Sequence, residues 1–210
     1  MYKRQGIFGV MAITSEYTTS AVQSSLTVNP RRGMFYATKS VATALFALVA
    51  GIVGILLAAG VLWLFTRGHD ITALTSDQSR IIPVTLIGFP LTIVLVSLMA
   101  QGLGGMTRST VGGVCALIVL FMVLSSVLSI TSMAINQVEW LGTLSYLTPD
   151  TAMNHFLGAG IESSSQSTLA AAVKPNYWIP DWWQSGLILL AWAAAAWAGG
   201  LIVTKKADIK

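Results

Sequence analysis

Four long runs of apolar residues without any charged side chain constrain the fold of this chain more than any other feature. A helix needs about 20 predominantly apolar residues to cross the hydrocarbon core of a bilayer. Because backbone polar groups in lipid must be satisfied internally, each run is predicted to form a transmembrane α-helix. The runs cover residues 41–65, 81–105, 111–133 and 184–204. The predicted fold class is all-α: a polytopic integral membrane helical bundle with four full transmembrane helices in one domain, 1–210.

The chain begins with a fifth apolar stretch, residues 6–13, which is too short to cross a membrane. We expect it to be the end of one partial N-terminal helix. The first five residues, MYKRQ, resemble the in-frame translation of a transposon adapter end used in sequencing libraries. We therefore expect residues 1–5 to be non-native and the chain to be an N-terminally truncated fragment. The alternative is a genuine basic N-terminus.

The composition agrees with a membrane protein and argues against several other classes. Only 10% of the residues are charged and 54% are hydrophobic, whereas a soluble domain carries about 25% charged residues. The net charge of +4 does not indicate a nucleic-acid partner, because the basic residues stand at the ends of the apolar runs, where the membrane accounts for them. The single cysteine, Cys115, excludes a disulfide or a cysteine-based metal site within one chain.

The distribution of basic residues predicts the orientation in the membrane. If the polar segment 15–39 lies inside, the inner side holds seven basic residues and the outer side three, with Lys3 and Arg4 left out. The inner residues are Arg31, Arg32, Lys39, Arg108, Lys205, Lys206 and Lys210, and the outer ones are Arg67, Arg80 and Lys174. Lysine and arginine favour the cytoplasmic side. We therefore expect a multi-pass protein of the cell membrane with a cytoplasmic C-terminus.

The segment 134–183 is then extracytoplasmic. It carries four acidic residues but only one basic residue, Lys174. Thr148 and Pro149 predict the start of a short helix, with Thr148 as its cap, and Gly158 predicts its end.

Small residues spaced four apart predict where the helices pack closely. Gly51 and Gly54 take part in such spacings in the first full run, with Ala47 and Ala58 as their partners. Ala195 and Gly199 repeat the spacing after Ala191 in the last run. Small side chains at this spacing allow helix backbones to approach in lipid.

Catalytic chemistry is not indicated by the residue pattern. No Asp, Glu, Lys, Arg or His lies inside a full apolar run, which argues against a proton relay, an ion-coupled carrier and an aspartate-type or metal-type intramembrane protease. His69 and His155 lack metal-ligand spacing, and no glycine-rich phosphate-binding loop is present. We expect no enzyme activity, no cofactor and no metal, so any transport must take its energy from another subunit.

The polar segment SEYTTSAVQSSLTVNPRRGMFYATK resembles the cytoplasmic segment of permeases of the type-2 export class of ATP-binding cassette transporters. The shared pattern is an acidic residue, a threonine- and serine-rich helix, Pro-Arg-Arg and a lysine at the next span; the matching positions are Glu16, 18–27, 30–32 and Lys39. GGMTRSTVGGVCALIVLF is similar to the turn between the fourth and fifth spans of the family. YLTPDTA resembles its external element before the last span, and AWAAAAWAGGLIVTKKADIK resembles its last span.

This resemblance implies a permease that moves an unknown substrate and works with a separate ATP-binding cassette ATPase. It also implies a dimer of permeases, homo- or heterodimeric, in contact with membrane lipid. The coupling residues toward the ATPase would be Glu16, Arg31, Arg32 and Arg108. The alternative for the arginine pair is a topology anchor that contacts lipid phosphates. The alternative for the whole chain is a non-transporting membrane scaffold, assembly or immunity protein.

Overall fold

The computed structural model describes residue 7 and residues 9–12, 14, 32–67, 78–134, 139–159 and 178–206. Among these residues there are helices and turns and no strand. Four helices are long and apolar enough to cross a membrane: Gly33–Thr66, Ile81–Thr107, Thr110–Ser132 and Trp182–Lys206. This confirms the predicted all-α, polytopic helical bundle. Residues 9–12, together with 7 and 14, are also helical, and we refer to them as the N-terminal helical residues.

The first long helix, α1, covers Arg32–Thr66 and starts well before the apolar run at residue 41. No proline interrupts the chain between residues 31 and 41, and the aromatic side chain of Tyr36 is fully buried. Burial of Tyr36 and Ser40 gives these first turns a packed face of their own. The end of the polar segment 15–39 is therefore the start of α1, not a linker that leads into it.

The second and third spans are joined by a two-residue turn. Helix α2 covers Ile81–Thr107 and continues through Pro90, and helix α3 covers Thr110–Ile118. Arg108 in the turn has a φ of 50°, and Ser109 caps α3 by accepting a hydrogen bond from the Gly112 amide. A π-helical turn, Val119–Val123, leads from α3 into α4, Leu124–Ala134. The turn predicted between these spans is therefore present.

Two short helices follow, and only the second was expected from the sequence. They are α5, Glu139–Tyr146, and α6, Pro149–Leu157. Thr148 stands at the cap position of α6 as predicted, but its hydroxyl donates to the Ser145 carbonyl at 2.9 Å instead of capping α6. Gly158 ends α6 with an ordinary φ of −75°, and the left-handed residue is Ala159, with a φ of 53°. The last span is α7, Trp182–Lys206.

The chain divides into two compact units. Unit 1 comprises the described residues of Met1–Val49, Thr92–Leu120 and Leu190–Lys210. Its core includes the fully buried Tyr36, Met99 and Gln101. Unit 2 comprises those of Ala50–Leu91 and Phe121–Leu189. Its largest fully buried side chains are Pro149, Met153, Pro180, Ser185 and Leu189.

Candidate functional site

The predicted coupling residues are only partly within the described residues. Glu16 and Arg31 lie outside them, and of Arg32 only the backbone, at the start of α1, is described. Arg108 is exposed in the turn between α2 and α3. Its left-handed backbone is uncommon for a residue with a side chain. Thr14, two residues before Glu16, and Thr110, two residues after Arg108, are described, and they are in contact with each other.

A pair of threonine hydroxyls joins the N-terminal helical residues to α3. The Thr110 hydroxyl donates a hydrogen bond of 2.8 Å to the Thr14 hydroxyl, which in turn donates to the Val10 carbonyl at 2.9 Å. Thr14 is fully buried. Thr14 precedes Glu16 by two residues, and Thr110 follows Arg108 by two residues. This contact therefore holds the flanks of two predicted coupling positions next to each other.

An ammonium group joins the same N-terminal helical residues to α1. Lys39 Nζ donates a hydrogen bond of 3.1 Å to the Ala12 carbonyl and lies 5.5 Å from the centroid of the Phe35 ring. A hydrogen bond from a charged donor is stronger than one between neutral groups. We call Ala12, Thr14, Lys39 and Thr110 the Lys39–Thr110 joint.

Close backbone packing surrounds this joint. A Cβ atom built on Gly9 would lie 2.5 Å from the Ser97 carbonyl oxygen, and one on Gly113 would lie 2.7 Å from Val10 Cγ1. Both distances are below the contact distance of real side chains. Glycine at these two positions lets the N-terminal helical residues lie directly against α2 and α3.

A second polar cluster in unit 1 joins α1, α2 and α7 through one hydroxyl. Ser40 Oγ accepts hydrogen bonds from Trp197 Nε1 at 2.7 Å and from Gln101 Nε2 at 3.1 Å, and it donates to the Tyr36 carbonyl at 2.9 Å. The Tyr36 hydroxyl donates to the Trp197 carbonyl at 3.3 Å. We call Tyr36, Ser40, Gln101 and Trp197 the Ser40 cluster. The sequence analysis missed it, although a glutamine inside a charge-free span is a signal, because a buried amide needs partners.

One atom of this cluster has no donor among the described residues. Gln101 Oε1 is buried and receives no hydrogen bond there. Ser40 has only one hydroxyl proton, which it gives to the Tyr36 carbonyl. Exchanging the positions of Oε1 and Nε2 of Gln101 would place Oε1 near Ser40, but it would leave the amide N–H groups without an acceptor. The orientation with Nε2 toward Ser40 therefore leaves the smaller number of unpaired groups.

The backbones of α2 and α7 approach closely in unit 1. A Cβ atom on Gly102 would lie 2.2 Å from the Ala196 carbonyl oxygen, and one on Gly200 would lie 2.7 Å from the Gly102 carbonyl oxygen. The buried face of α7 in this unit thus includes Ala193, Ala196 and Gly200.

The predicted packing positions on α7 fall beside this face. Ala195 is exposed, and Gly199 has the flexible Met106 side chain as its nearest neighbour. The physical reason is that small residues recur on several sides of α7, so the four-residue spacing cannot select one. On α1, Gly51 is buried and Gly54 faces Phe89 at an ordinary contact distance of 3.8 Å.

Unit 2 contains a histidine that is not simply a surface residue. His155 is half-buried, its Nδ1 lies 3.0 Å from the Ser185 hydroxyl, and its ring meets Tyr146 edge-on at 5.8 Å between centroids. Ser185 donates its own proton to the Asp181 carbonyl at 3.1 Å. The Ser185 hydroxyl thus lies within hydrogen-bonding distance of both the His155 ring and the Asp181 carbonyl.

The aromatic ring of Phe156 occupies the space above two glycines of unit 2. A Cβ atom on Gly88 would lie 2.9 Å from its Cε1 atom, and one on Gly186 would lie 3.0 Å from Cδ2 and Cε2. Phe156 also stacks on Trp182 with 6.4 Å between ring centroids. The Thr85 hydroxyl donates to the neighbouring Leu157 carbonyl at 3.1 Å. Helix α6 is therefore fixed to α2 and α7 by the shape of Phe156, by the Thr85–Leu157 hydrogen bond and by the His155–Ser185 contact.

The charges of the two units differ in sign. The described residues of unit 1 include five basic residues and no acidic one, the basic ones being Arg32, Lys39, Arg108, Lys205 and Lys206. The described residues of unit 2 include Arg67 and Arg80 together with Glu139, Asp150 and Asp181. No group of three or more metal-ligating side chains occurs in the part of the chain that the structure describes. His69 lies outside that part.

No protein-family model matches this chain, and no curated protein and no solved structure shows significant similarity to it.

Proposed function

We propose that this chain is the permease subunit of an ATP-binding cassette exporter of the type-2 class, which moves a substrate across the cell membrane. The observation that carries the proposal is the Lys39–Thr110 joint. It brings the flank of the polar segment next to the turn that holds Arg108. An ATPase outside the membrane can act on spans only through segments that protrude from it, and both segments are of that kind in the proposed orientation.

The spans themselves support an external source of energy. Each of the four is free of charged side chains in its interior. Carriers driven by protons or ions usually hold ionisable groups at membrane depth, although such groups are costly there. Energy from ATP hydrolysis in a partner subunit removes the need for such groups. The partners in this proposal are an ATP-binding cassette ATPase, a second permease of the same or a related sequence, and membrane lipid.

The proposed orientation places the described basic residues Arg32, Lys39, Arg108, Lys205 and Lys206 on the cytoplasmic side, as the positive-inside rule describes. The described acidic residues, Glu139, Asp150 and Asp181, would lie on the outer side. The C-terminus, beyond Lys206 on α7, is then cytoplasmic.

The proposal is tested by expressing the complete gene with the ATPase encoded nearest to it. Co-purification in detergent and stimulation of ATP hydrolysis after reconstitution are the expected results. An ATPase with its phosphate-binding lysine replaced serves as the control, because it should co-purify without hydrolysing ATP. Absence of any such ATPase from the gene neighbourhood, with no co-purification, would favour the scaffold, assembly or immunity protein instead.

A further inference from the structure

The Lys39–Thr110 joint connects three stretches of unit 1. Ala12 and Thr14 precede the polar segment, Lys39 is its last residue and lies on α1, and Thr110 follows the turn of Arg108 on α3. The two interhelical hydrogen bonds, 3.1 Å and 2.8 Å long, thus connect three stretches of chain that the sequence separates. We propose that Lys39 and Thr110 are positioning residues that make these three stretches move as one body. This inference rests on the proposed function, because it concerns how force from an ATPase enters the spans.

The two bonds hold the N-terminal helical residues at two different residues, Ala12 and Thr14. One bond uses a backbone carbonyl and the other a side-chain hydroxyl. A single bond would leave rotation about it open, whereas two bonds at separate residues restrict it.

Close contacts reinforce this restriction. Gly9 lies against the Ser97 carbonyl of α2, and Gly113 of α3 lies against the side chain of Val10. Neither glycine has room for a Cβ atom, so there is little room for the helical residues to slide. Thr14 is buried, and its hydroxyl accepts a hydrogen bond from Thr110 and donates one to the Val10 carbonyl. The joint therefore restricts the movement of α1 and α3 relative to the N-terminal helical residues.

Lys39 is suited to this role by its chemistry. Its ammonium bonds to the Ala12 carbonyl while its stem passes the Phe35 ring, so the charge is held by a carbonyl and an aromatic face. A methionine would keep the apolar stem and lose the donor, and an arginine would keep a donor. Thr110 can be replaced in the same two ways, because valine has the shape of threonine without the hydroxyl and serine keeps the hydroxyl.

The first measurement is structural and needs no ATPase. Spin labels are placed at exposed residues near the joint, Met11 with Met34 and Met11 with Val111, in a Cys115→Ser background. Lys39→Met should broaden the first distance distribution and Thr110→Val the second. Lys39→Arg and Thr110→Ser should leave both narrow. Unchanged distance distributions in Lys39→Met and Thr110→Val would contradict the proposal that these two residues hold the three stretches together.

The second measurement separates positioning from general stability. Lys39→Met and Thr110→Val should lower permease-stimulated ATP hydrolysis about tenfold while ATPase binding is retained, since a charge-assisted or buried bond is lost. Thr38→Val is the matched control. It removes a hydroxyl that bonds only to the Met34 carbonyl within α1, and it should not change the stimulated rate. Equal stimulation in Lys39→Met and the unaltered protein would refute positioning.

The two proposals fail in different ways. If the unaltered protein stimulates no ATPase, the proposed function fails, while the distance measurements still decide the joint. If stimulation is found but binding and stimulation fall together in Lys39→Met and in Lys39→Arg, the joint only supports folding and the inference fails.

Discussion

The indole nitrogen of Trp197 donates a 2.7 Å hydrogen bond to the hydroxyl oxygen of Ser40 and thereby joins α7 to α1. The same oxygen accepts from Gln101 of α2 at 3.1 Å. One small side chain on α1 is therefore the common acceptor for donors from two other transmembrane helices. Polar contacts of this kind bind helices in lipid, where apolar packing alone gives little preference over lipid contact.

We expect Ser40→Ala to destabilise the helical bundle by about 1–3 kcal/mol, because it leaves the donors of Trp197 and Gln101 without an acceptor. The measurement is the free energy of unfolding in mixed detergent micelles. Thr131→Val is the control, since its hydroxyl bonds only within its own helix. In a double-mutant cycle, Trp197→Phe should add little to Ser40→Ala. Full additivity of the two changes would show that the bond is not formed.

We expect Gly102→Ala to destabilise unit 1 by about 1–3 kcal/mol or more, because its Cβ atom would lie 2.2 Å from the Ala196 carbonyl oxygen of α7. Backbone on both sides leaves no flexible group that can move away. The control is Gly60→Ala on α1, where no atom lies within 4 Å of the new methyl group. That change should stabilise the helix by about 0.5–1 kcal/mol. Thermal unfolding in detergent measures both, and a neutral Gly102→Ala would contradict the packing of α2 on α7.

We expect cysteine at position 24 to be protected from a membrane-impermeant thiol reagent in intact cells, and cysteine at position 164 to react. The reason is the excess of basic residues on the side that includes the polar segment. Ser24→Cys and Ser164→Cys are made in a Cys115→Ser background and labelled before and after permeabilisation. Labelling of position 24 in intact cells would reverse the orientation, and with it the proposed site of ATPase contact.

We expect Glu16→Ala and Arg32→Ala to lower coupling about tenfold or more while membrane abundance stays normal. Charge-assisted contacts at a subunit interface are worth about 1.5–3 kcal/mol each. Arg108→Ala should have a milder effect, because it removes one cation of the shorter turn. The readouts are stimulated ATP hydrolysis and export.

Arg108→Gly separates side chain from backbone at that position, since glycine adopts the φ of 50° without strain. A loss that is shared by Arg108→Ala and Arg108→Gly belongs to the guanidinium. Normal coupling in the double variant Glu16→Ala, Arg32→Ala would show that these residues do not carry the ATPase contact and would favour their alternative role as topology anchors.

The number of spans was predictable from the sequence because hydropathy alone decides which segments enter a membrane. The start of α1 at Arg32 was not, since a helix can extend into polar residues when a face with Tyr36 and Ser40 finds partners elsewhere in the chain. Helix α5 was missed for a related reason: residues 139–146 lack both a cap signal and a long apolar run. Local pattern identifies segments, but tertiary partners set their limits.

The rotation of each helix was the hardest feature to predict. Ala195 and Ala196 are both small, yet only Ala196 lies on the buried face, because Gly102 of α2 approaches its carbonyl. Which small residue of α7 is buried depends on the position of α2, and the spacing of residues within α7 does not carry that information. The Lys39–Thr110 joint was equally hidden, since Thr14 and Thr110 are 96 positions apart and neither belongs to a recognisable motif.

The ring of Phe156 has a consequence for how this sequence can diverge. It fills the space above both Gly88 and Gly186, so the sizes of three residues on three helices are linked. A methyl group at either glycine becomes acceptable only when position 156 carries a smaller side chain. Descendants of this gene should therefore change these positions together, with a smaller side chain at position 156 on α6 accompanying a larger one at position 88 on α2 or 186 on α7. Single replacements at either glycine should be rare, and Gly186→Ala should be tolerated better beside Phe156→Leu than alone.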